Sequence, residues 1–534
     1  MPTPRTPGAR AAVEDVLGYV ETVSGRMGTS LEPVGRDRPS PHTVHPAAAR
    51  IMLPPAGAAP MGDIRRALRD PAGHPGEDLS GIDGPWLSRA LHLSAGTLSR
   101  RWQIDWTGHA AQRARAPSAL WGRGTPSGGG TYPWELYWAP GPGLPIAPGV
   151  LHYASGPHAL ERLTTGDPTP AIRAALPDDP GRHEGGFLLC TVRLWKNAYK
   201  YAELSYHLAT HDLGALLGTW SALHRARAVP YRHHLWFDEP ALNRVLGLDP
   251  RQESVHAVIP LPWGGAGRAE SAGTAPQSPP VRRPPGEASR PTRAFARADA
   301  ARRATAAPAP VPSGPPADHR SPGSATGFVP LPPEPCVPAR DLADVLSRRS
   351  SAFGRMDPSR SLSMEELAVI LRSGADGPHS AGLPRLTGLS VLARRVRGLA
   401  PGAYHYDRAR HGLVPAAGPG PGAADGLTQR HYAMQNYAVD QAAALVAFTW
   451  RPRPALETLG PRAYRAAHAE SGAASQYVSL AAQSMGIACG IVLGMDARAV
   501  DDALGADDDD RRSSLCAFVG HLLPGTASLD DRLR

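Results

Sequence analysis

The sequence predicts an α+β protein in which two diverged copies of one domain follow each other and form an intrachain pseudo-dimer. Three observations support this fold class: the chain length, an internal repeat, and helices and strands in each copy. A chain of 534 residues exceeds one ordinary core and suits two or three domains. Hydrophobic residues make up 42% of the chain, which is enough for globular cores.

The repeat is recognised from short matching segments at a constant spacing. The segment APGVLHY at 147–153 recurs as APGAYHY at 400–406, which is 253 residues later. Towards the end of each copy the spacing becomes 258 residues and relates 236–249 to 494–507. Several matches in the same order are not expected by chance, so the sequence indicates a duplicated domain.

Each copy combines helices and strands without strict alternation. Helical periodicity covers Ala202–His224 in the first copy and Ala473–Ile487 in the second. Short runs rich in β-branched and aromatic residues predict three strands in each copy. These segments are 133–139, 151–154 and 255–261 in the first copy, and 390–396, 403–407 and 514–520 in the second.

Composition sets the domain boundaries. Residues 1–80 are weakly patterned and form an N-terminal extension with one predicted helix at Ala11–Val23. Residues 81–264 form the first copy and residues 331–534 the second copy. Between them, residues 265–330 are rich in proline, alanine and arginine and carry almost no large apolar side chains. Such a segment cannot bury a core, so we predict a disordered linker.

Charge, cysteine content and the lack of long apolar segments indicate where the protein acts and which partners it does not bind. The net charge is +9, but the basic residues are not clustered with aromatic ones, so no nucleic-acid partner is predicted. No signal peptide and no apolar run of membrane-spanning length are found, so we predict a cytoplasmic protein that does not span a membrane. The four scattered cysteines form no zinc-binding pattern, and no metal is predicted.

Lysine is almost absent from this chain. Of 57 basic residues only Lys196 and Lys200 are lysines, and both lie in one short segment. Everywhere else the positive charge is supplied by arginine. A retained lysine suggests a task that arginine cannot perform, and proton transfer is such a task because a buried ammonium shifts its pKa readily.

Four segments of the first copy carry a family resemblance: GTPSGGGTYP at 124–133, APGVLHY at 147–153, KYAELSYHLATHDLGALL at 200–217 and GLDPRQESVHAVIPL at 247–261. With their counterparts in the second copy, these segments resemble the nitroreductase superfamily, and within it the tandem SagB-type azoline dehydrogenases. The resemblance implies a flavoprotein oxidoreductase that binds FMN between two such domains. It also implies a substrate, namely the thiazoline or oxazoline rings of a ribosomally made precursor peptide, as in thiopeptide-type antibiotic biosynthesis.

The resemblance assigns cofactor contacts to the second copy. Arg348, Arg349 and Ser350 match the family's phosphate-binding Arg-Arg-Ser motif, and a planar arginine fork suits a phosphate. Leu493 and Gly494 match the turn at the flavin edge, where glycine lets the backbone approach closely.

The first copy supplies the complementary parts. Its loop matches the partner's Pro-Ser loop of the family with Pro126, Ser127, Gly128 and Gly129. Lys200 and Tyr201 match the catalytic Lys-Tyr pair of azoline oxidases. Because each copy keeps what the other lacks, we predict one composite FMN site and a decayed second site.

The expected chemistry removes a proton from the ring carbon that was the amino acid's α-carbon and a hydride from the neighbouring CH2. Tyr201 is the preferred base, with Lys200 holding its phenol at a low pKa, and the reverse assignment stays open. A cyclodehydratase or leader-binding protein is a possible partner. Two alternatives remain: a generic NAD(P)H-dependent flavin reductase of the same fold, and a non-catalytic peptide-binding scaffold.

Overall fold

The computed structural model describes most of the chain. The described residues are 7–25, 39–55, 57, 59–68, 81–104, 114–177, 184–264, 293–307, 327–333, 337–377, 385–416, 426–434, 436–505, 510–524 and 530–532.

The first copy is built on a six-stranded antiparallel sheet. Its strands follow the order β1-β6-β5-β4-β7-β8. Their bounds are β1 Ala49–Met52, β4 Trp134–Pro140, β5 Gly149–Ala154, β6 Ala159–Thr165, β7 Glu184–Val192 and β8 Ser254–Pro262. A separate three-stranded sheet of order β16-β2-β3 is formed by β2 Ser99–Ile104, β3 Ala114–Gly122 and β16 Asp530–Arg532.

The second copy is built on a seven-stranded antiparallel sheet of order β14-β15-β13-β10-β11-β12-β9. Its strands are β9 Val329–Pro330, β10 Gly388–Ala393, β11 Gly402–Asp407, β12 Gly412–Pro415, β13 Ala444–Trp450, β14 Ile487–Val492 and β15 Arg512–His521. Counted from β9, the first six strands of this sheet correspond in order to the six strands of the first sheet counted from β1. Strand β9 thus takes the place of β1, and β15 takes the place of β8. The predicted strands of both copies are confirmed.

The helices lie on and between these sheets. Their bounds are α1 Pro7–Ser24, α2 Ile64–Leu68, α3 Gly84–Ala95, α4 Thr169–Ala175, α5 Trp195–Tyr201, α6 Ser205–Ala226, α7 Glu239–Leu246, α8 Ala296–Ala306, α9 Leu342–Arg348, α10 Met364–Ala375, α11 Pro452–Leu459, α12 Ala463–Met485 and α13 Ala497–Ala503. The helix predicted at Ala473–Ile487 starts ten residues earlier than expected, because Tyr464 is the one large apolar residue in the alanine-rich first turns of α12.

Helices α6 and α12 join the two copies. Glycines permit their close approach: a Cβ atom at Gly214 would overlap the Ala469 carbonyl oxygen, and one at Gly472 would overlap that of His211. Tyr206 of α6 stacks on Tyr464 of α12 with ring centroids 5.9 Å apart. The largest hydrophobic cluster contains side chains of both helices, so the core continues from one copy into the other.

The N-terminal extension is part of this fold. Strand β1 pairs with β6 of the first sheet, and the predicted helix at Ala11–Val23 is confirmed as α1. Further along, the backbone amides of Met61 and Gly62 both donate to Asp341 Oδ2 of the second copy. In the opposite direction, β16 of the second copy pairs with β2 of the first. Backbone hydrogen bonds therefore connect the second copy both to the N-terminal extension and to the first copy.

The prediction of a disordered linker over 265–330 is wrong for residues 296–306, which form α8. Alanine is the best helix former, and the Ala298 and Ala301 side chains are fully buried. Side chains of both copies cap this helix. Glu203 accepts hydrogen bonds from the Arg297 and Ala298 amides, while Arg462 donates to the Thr305 and Ala306 carbonyls. The small side chains of α8 thus let this helix pack closely against the rest of the protein.

Within the described part of the chain, no helix combines the length and apolar character needed to cross a bilayer. Cys190, Cys489 and Cys516 are buried free thiols, and the fourth cysteine, Cys336, lies outside the described residues.

Candidate functional site

A cavity of about 260 Å³ lies where the two copies meet. Both copies contribute to its wall. The lining residues used below come from the first copy as Pro126, Ser127, Gly128, Gly129, Lys200, Tyr201, His211 and Asp212, and from the second copy as Arg349, Ser350, Phe353, Tyr432, Tyr437, Leu493 and Gly494. Ten of the eleven site residues predicted from the sequence are therefore brought to one place.

The glycine-rich loop of the first copy is shaped by its lack of side chains. Gly129 has φ +63°, a left-handed conformation that L residues rarely adopt. A Cβ atom there would overlap Tyr201 Oη and Lys200 Nζ. The loop backbone thus approaches the Lys-Tyr pair as closely as glycine allows.

The Lys200–Tyr201 pair lies at the end of α5, just before a strained residue. Ala202 has φ +48° and ψ −124°, so the chain turns sharply between α5 and α6. Lys200 Nζ lies 5.1 Å from the centre of the Tyr201 ring and donates a 3.5 Å hydrogen bond to the Gly129 carbonyl oxygen. The turn places both side chains in the wall of the cavity.

The expected low pKa of the Tyr201 phenol is wrong. Burial raises the pKa of Tyr201 above its ordinary value, and the nearby Asp212 carboxylate raises it further. Burial, supported by the charge of Asp212, therefore holds Tyr201 as a neutral hydroxyl.

Asp212 was missed by the sequence analysis. It lies on α6 and is 6% exposed, and it accepts hydrogen bonds from Ser127 Oγ at 2.6 Å and from the Gly128 amide at 2.9 Å. Burial raises the pKa of Asp212 to about 7, although both hydrogen bonds lower it. The available signal was a lone acidic residue inside the apolar pattern of α6.

The second copy contributes Arg349 and Ser350 to the cavity wall. Arg349 is 9% exposed, and its guanidinium donates to the carbonyl oxygens of Gly124 at 2.9 Å and Arg123 at 3.2 Å in the first copy. Arg348 differs from the expectation, because its exposed side chain pairs with Asp344 on the same helix at 2.5 Å and does not line the cavity. Residues four apart share one helix face, which explains this pairing.

Leu493 and Gly494 of the second copy also line the cavity. A Cβ atom at Gly494 would lie 2.9 Å from the Tyr432 ring and 3.2 Å from Met434 Cγ. The Gly494 carbonyl oxygen accepts a 2.8 Å hydrogen bond from the Ala433 amide. Glycine is therefore required here by the packing of the neighbouring loop.

These residues fit a flavin mononucleotide. Glycines of both copies leave backbone surface against which a flat ring can lie, and Arg349 and Ser350 offer donors suited to a phosphate. Tyr432 and Tyr437 add aromatic surface. The cavity thus has the polar and the apolar parts that such a cofactor needs.

Buried side chains stand at the positions that the repeat relates to this cavity. Trp236 occupies the place of Gly494 and is 2% exposed, and Arg462 occupies the place of Leu204 and is 1% exposed. Arg462 also donates to the Phe237 carbonyl oxygen at 2.7 Å. The related position is thus filled by a tryptophan, an arginine and the end of α8.

Lys196 does not share the site of Lys200. Its Nζ donates to Glu135 Oε1 at 2.9 Å and to the Pro41 carbonyl oxygen at 3.3 Å. Glu135 Oε2 in turn pairs with His152 Nε2 at 3.2 Å. Burial lowers the pKa of Lys196, while the facing Glu135 opposes this. Lys196 therefore belongs to a buried ionic network that fixes α5 and the segment around Pro41.

Two buried groups contain the residue types that bind metals. They are His207 with His211 and His468, and His45 with His152 and Glu161. Both ring nitrogens of His207 are hydrogen-bonded, to the Tyr464 hydroxyl and the Ser514 carbonyl oxygen. Those of His152 are bonded to Glu135 and Glu161. In each group, one histidine therefore has both ring nitrogens in hydrogen bonds within the protein.

Comparison with known proteins agrees with this architecture. Residues 345–521 match the Nitroreductase family. A candidate nitroreductase from Anabaena variabilis is similar over 95% of this chain and 99% of its own, with a TM-score of 0.69 and 19% identity. The likeness covers both copies, so the chain has the nitroreductase fold. No curated protein matches the sequence.

Weaker likenesses were also found. A chain of the E. coli microcin synthetase McbBCD complex with truncated pro-MccB17 bound has 17% identity and a TM-score of 0.28, covering 33% of this chain and 70% of its own. A candidate nitroreductase from Ralstonia eutropha has 15% identity and a TM-score of 0.29, covering 40% of this chain and 99% of its own. At these TM-scores neither carries an argument about this protein.

Proposed function

We propose, from the nitroreductase fold and the shared cavity, that this chain is an FMN-dependent dehydrogenase that oxidises thiazoline or oxazoline rings of a ribosomally made peptide to thiazoles or oxazoles. The observation that carries the proposal is the meeting of Lys200 and Tyr201 of the first copy with Arg349, Ser350 and Gly494 of the second in one cavity. The Lys-Tyr pair is what distinguishes azoline oxidation from general flavin reduction in the resemblance described above.

Each copy would hold a different part of FMN. Arg349 and Ser350 would bind the phosphate, with α9 directing Arg348 to the surface nearby. Gly128, Gly129 and the Leu493–Gly494 turn would lie against the flavin ring. When bound, FMN supplies the hydride acceptor, since flavins take up two electrons with a hydride.

The residues of the first copy would handle the proton. Tyr201 is a neutral hydroxyl, so it can hydrogen-bond the ring and can exchange a proton, but it does not start as a phenolate. The ammonium of Lys200 lies beside the Tyr201 ring and can stabilise negative charge that develops on its oxygen during proton transfer. Lys200 as the base itself stays open.

The same geometry supports one FMN site per chain. In this interpretation the two copies form a pseudo-dimer, and the second position has been filled by Trp236, Arg462 and α8. The substrate would be an azoline-containing precursor peptide in the cytoplasm, with a cyclodehydratase or leader-binding protein as a possible partner. Exposed Trp121 and Met434, at 37% and 38%, line the cavity and offer apolar surface to such a peptide.

The first test is the visible spectrum of the purified full-length protein, followed by heat release and identification of the chromophore. We expect FMN, and we expect mass spectrometry to show the loss of two hydrogens per ring from an azoline peptide. Lys200→Ala and Tyr201→Phe should each lower turnover by roughly 100-fold or more while FMN stays bound, because positioned proton transfer contributes at least that much.

Tyr199→Phe is the matched control, since Tyr199 lies on the same helix but does not line the cavity. Full activity of either catalytic variant would contradict the assignment. Rapid flavin bleaching by NAD(P)H without peptide would favour a generic flavin reductase. A protein that stays colourless with excess FMN would instead be a peptide-binding scaffold.

A further inference from the structure

Asp212 is a buried carboxyl group in the cavity wall that the roles assigned above leave unused. Its two hydrogen-bond donors are the Ser127 hydroxyl and the Gly128 amide, and neither carries a charge. Among the described residues, no arginine or lysine forms an ion pair with it. A buried carboxylate without a cationic partner holds protons readily, so its surroundings favour proton exchange over permanent charge.

The direction of the Ser127 hydrogen bond is fixed by its other contact. Ser127 Oγ accepts a 2.9 Å hydrogen bond from the Tyr132 amide, so its own hydrogen points to Asp212 Oδ2. Asp212 is therefore an acceptor towards both loop donors. Two carboxylate oxygens offer about four acceptor positions, so the loop leaves capacity for a further proton or donor.

Tyr201 reaches the same loop one residue further on. A Cβ atom at Gly129 would overlap Tyr201 Oη, and one at Gly128 would lie 3.7 Å from Asp212 Oδ1. The hydroxyl and the carboxyl thus contact consecutive glycines. Their proximity is also electrostatic, because the charge of Asp212 raises the pKa of Tyr201.

We propose that Asp212 is the final proton acceptor of this site and that Tyr201 passes the substrate proton to it, with Ser127 and Gly128 holding the carboxyl in place. This rests on the proposed function. The α-carbon C–H bond of the azoline breaks, and its proton joins Tyr201 oxygen while the phenolic proton forms an O–H bond on Asp212. The electron pair of the broken C–H bond would form the new ring double bond, and bound oxidised flavin would accept the hydride from the neighbouring CH2.

The acidity of Asp212 suits this task. A proton acceptor is most effective when its pKa lies near the working pH, and that of Asp212 is raised to about 7. The other titratable or charged groups in the cavity wall are Tyr132, Lys200, Tyr201, His211, Arg349, Tyr432 and Tyr437. Of these, Tyr201 is the group whose pKa the charge of Asp212 raises.

The repeat supplies a control inside the same molecule. The spacing of 258 residues places Glu470 at the position of Asp212 in the second copy. Burial raises the pKa of Glu470 to about 7, and its carboxylate accepts a hydrogen bond from the Leu386 amide at 2.9 Å. However, the position of Tyr201 is taken there by Leu459, which cannot transfer a proton. Glu470 thus resembles Asp212 in its raised pKa and in its hydrogen bond to a backbone amide. It lacks a tyrosine that could pass a proton to it.

The experiment compares Asp212→Asn with Glu470→Gln in the full-length protein. Infrared difference titration of the flavin-free protein should show a carboxylic acid band that disappears as pH rises through about 7, and Asp212→Asn should remove its share of that band. With FMN and an azoline peptide, wild-type turnover should rise with pH to a plateau with the same midpoint. Asp212→Asn should lower turnover by about 100-fold and abolish this rise.

Glu470→Gln should keep both the turnover and its pH dependence, and both variants should bind FMN. Wild-type turnover with an unchanged pH profile in Asp212→Asn would overturn the relay. Loss of FMN from that variant would also overturn it and leave Asp212 as a support of the glycine loop. An inactive wild type with FMN bound would instead refute the proposed function, and the relay with it.

Discussion

At the scale of single residues, the two lysines of α5 show how burial decides what a cation does. They lie one helical turn apart, yet Lys196 is enclosed by Glu135 and Pro41 while Lys200 lines the cavity. The scarcity of lysine drew attention to both positions, but it could not separate them. That distinction depends on Glu135, which is 61 residues away in the chain.

Replacing Lys196 should therefore affect stability first. Lys196→Met removes the nearest cation from the buried Glu135 carboxylate, and loss of one partner of a buried ion pair costs about 3–5 kcal/mol in comparable cases. The free energy of unfolding, measured with denaturant, should fall by that amount. Lys200→Met is the matched control and should change it by less than about 1 kcal/mol, because Lys200 is partly exposed. Equal losses in the two variants would contradict the separate roles.

The pH dependence of stability should report on Asp212. Its pKa is about 7 in the folded protein against an ordinary 3.8, so the folded state binds a proton more tightly than the unfolded chain between those values. Stability contributed by this residue therefore falls as pH rises through that window and stays low above it. Asp212→Asn removes the titration.

The variant should thus gain stability relative to wild type between pH 5 and pH 8, by up to about 3 kcal/mol. Denaturant unfolding at the two pH values measures this difference. A difference that is the same at both pH values would mean that Asp212 titrates as it does in the unfolded chain.

Most of the site was predictable from local motifs, and what was missed depends on the three-dimensional neighbours. The Pro126 loop, the Lys200–Tyr201 pair and Gly494 are recognisable in the sequence and meet in the structure. Asp212 was missed because its role depends on contact with Ser127, which is 85 residues away. Arg348 was misplaced because a motif does not reveal that Asp344 competes for its guanidinium.

At the scale of elements, strands were predicted more faithfully than the linker. Alternating apolar residues mark a strand regardless of its partners, so β4, β5 and β8 were recognised from their own residues. Helix α8 has no such pattern, because its buried residues are alanine, threonine and Arg302, with no large apolar side chain. Its stability comes from Glu203 and Arg462, which cap its two ends and belong to different copies.

The docking of α8 can be tested through its buried face. Ala301→Gln should release the helix from its packing, because the fully buried Ala301 has no room for a larger side chain. Limited trypsin digestion should then cleave faster at Arg302 and Arg303. Ala296→Gln, at an exposed position of the same helix, should leave the rate unchanged. Equal cleavage of both variants would show that α8 is not held by its packing.

At the scale of the whole molecule, the repeat predicted the division into two copies, and the strand order agrees between them. The sequence did not reveal that β16 and α8 link the copies or that β1 joins the first sheet, since such links depend on long-range pairing. We expect one FMN per chain, measured as flavin released by heat per mole of protein. Trp236→Gly should not raise this number, because Arg462 and α8 still fill the related position. Two FMN per chain would contradict a single composite site.

The filled second position also has a kinetic consequence. A symmetric dimer offers two equivalent centres, so two rings of one peptide, or two peptides, can react at once. If the proposed function holds and FMN binds only in the cavity described above, this chain would process the rings of one peptide in succession, and each ring would leave before the next enters. Partly oxidised peptides should therefore accumulate in a definite order, set by which ring reaches the cavity first.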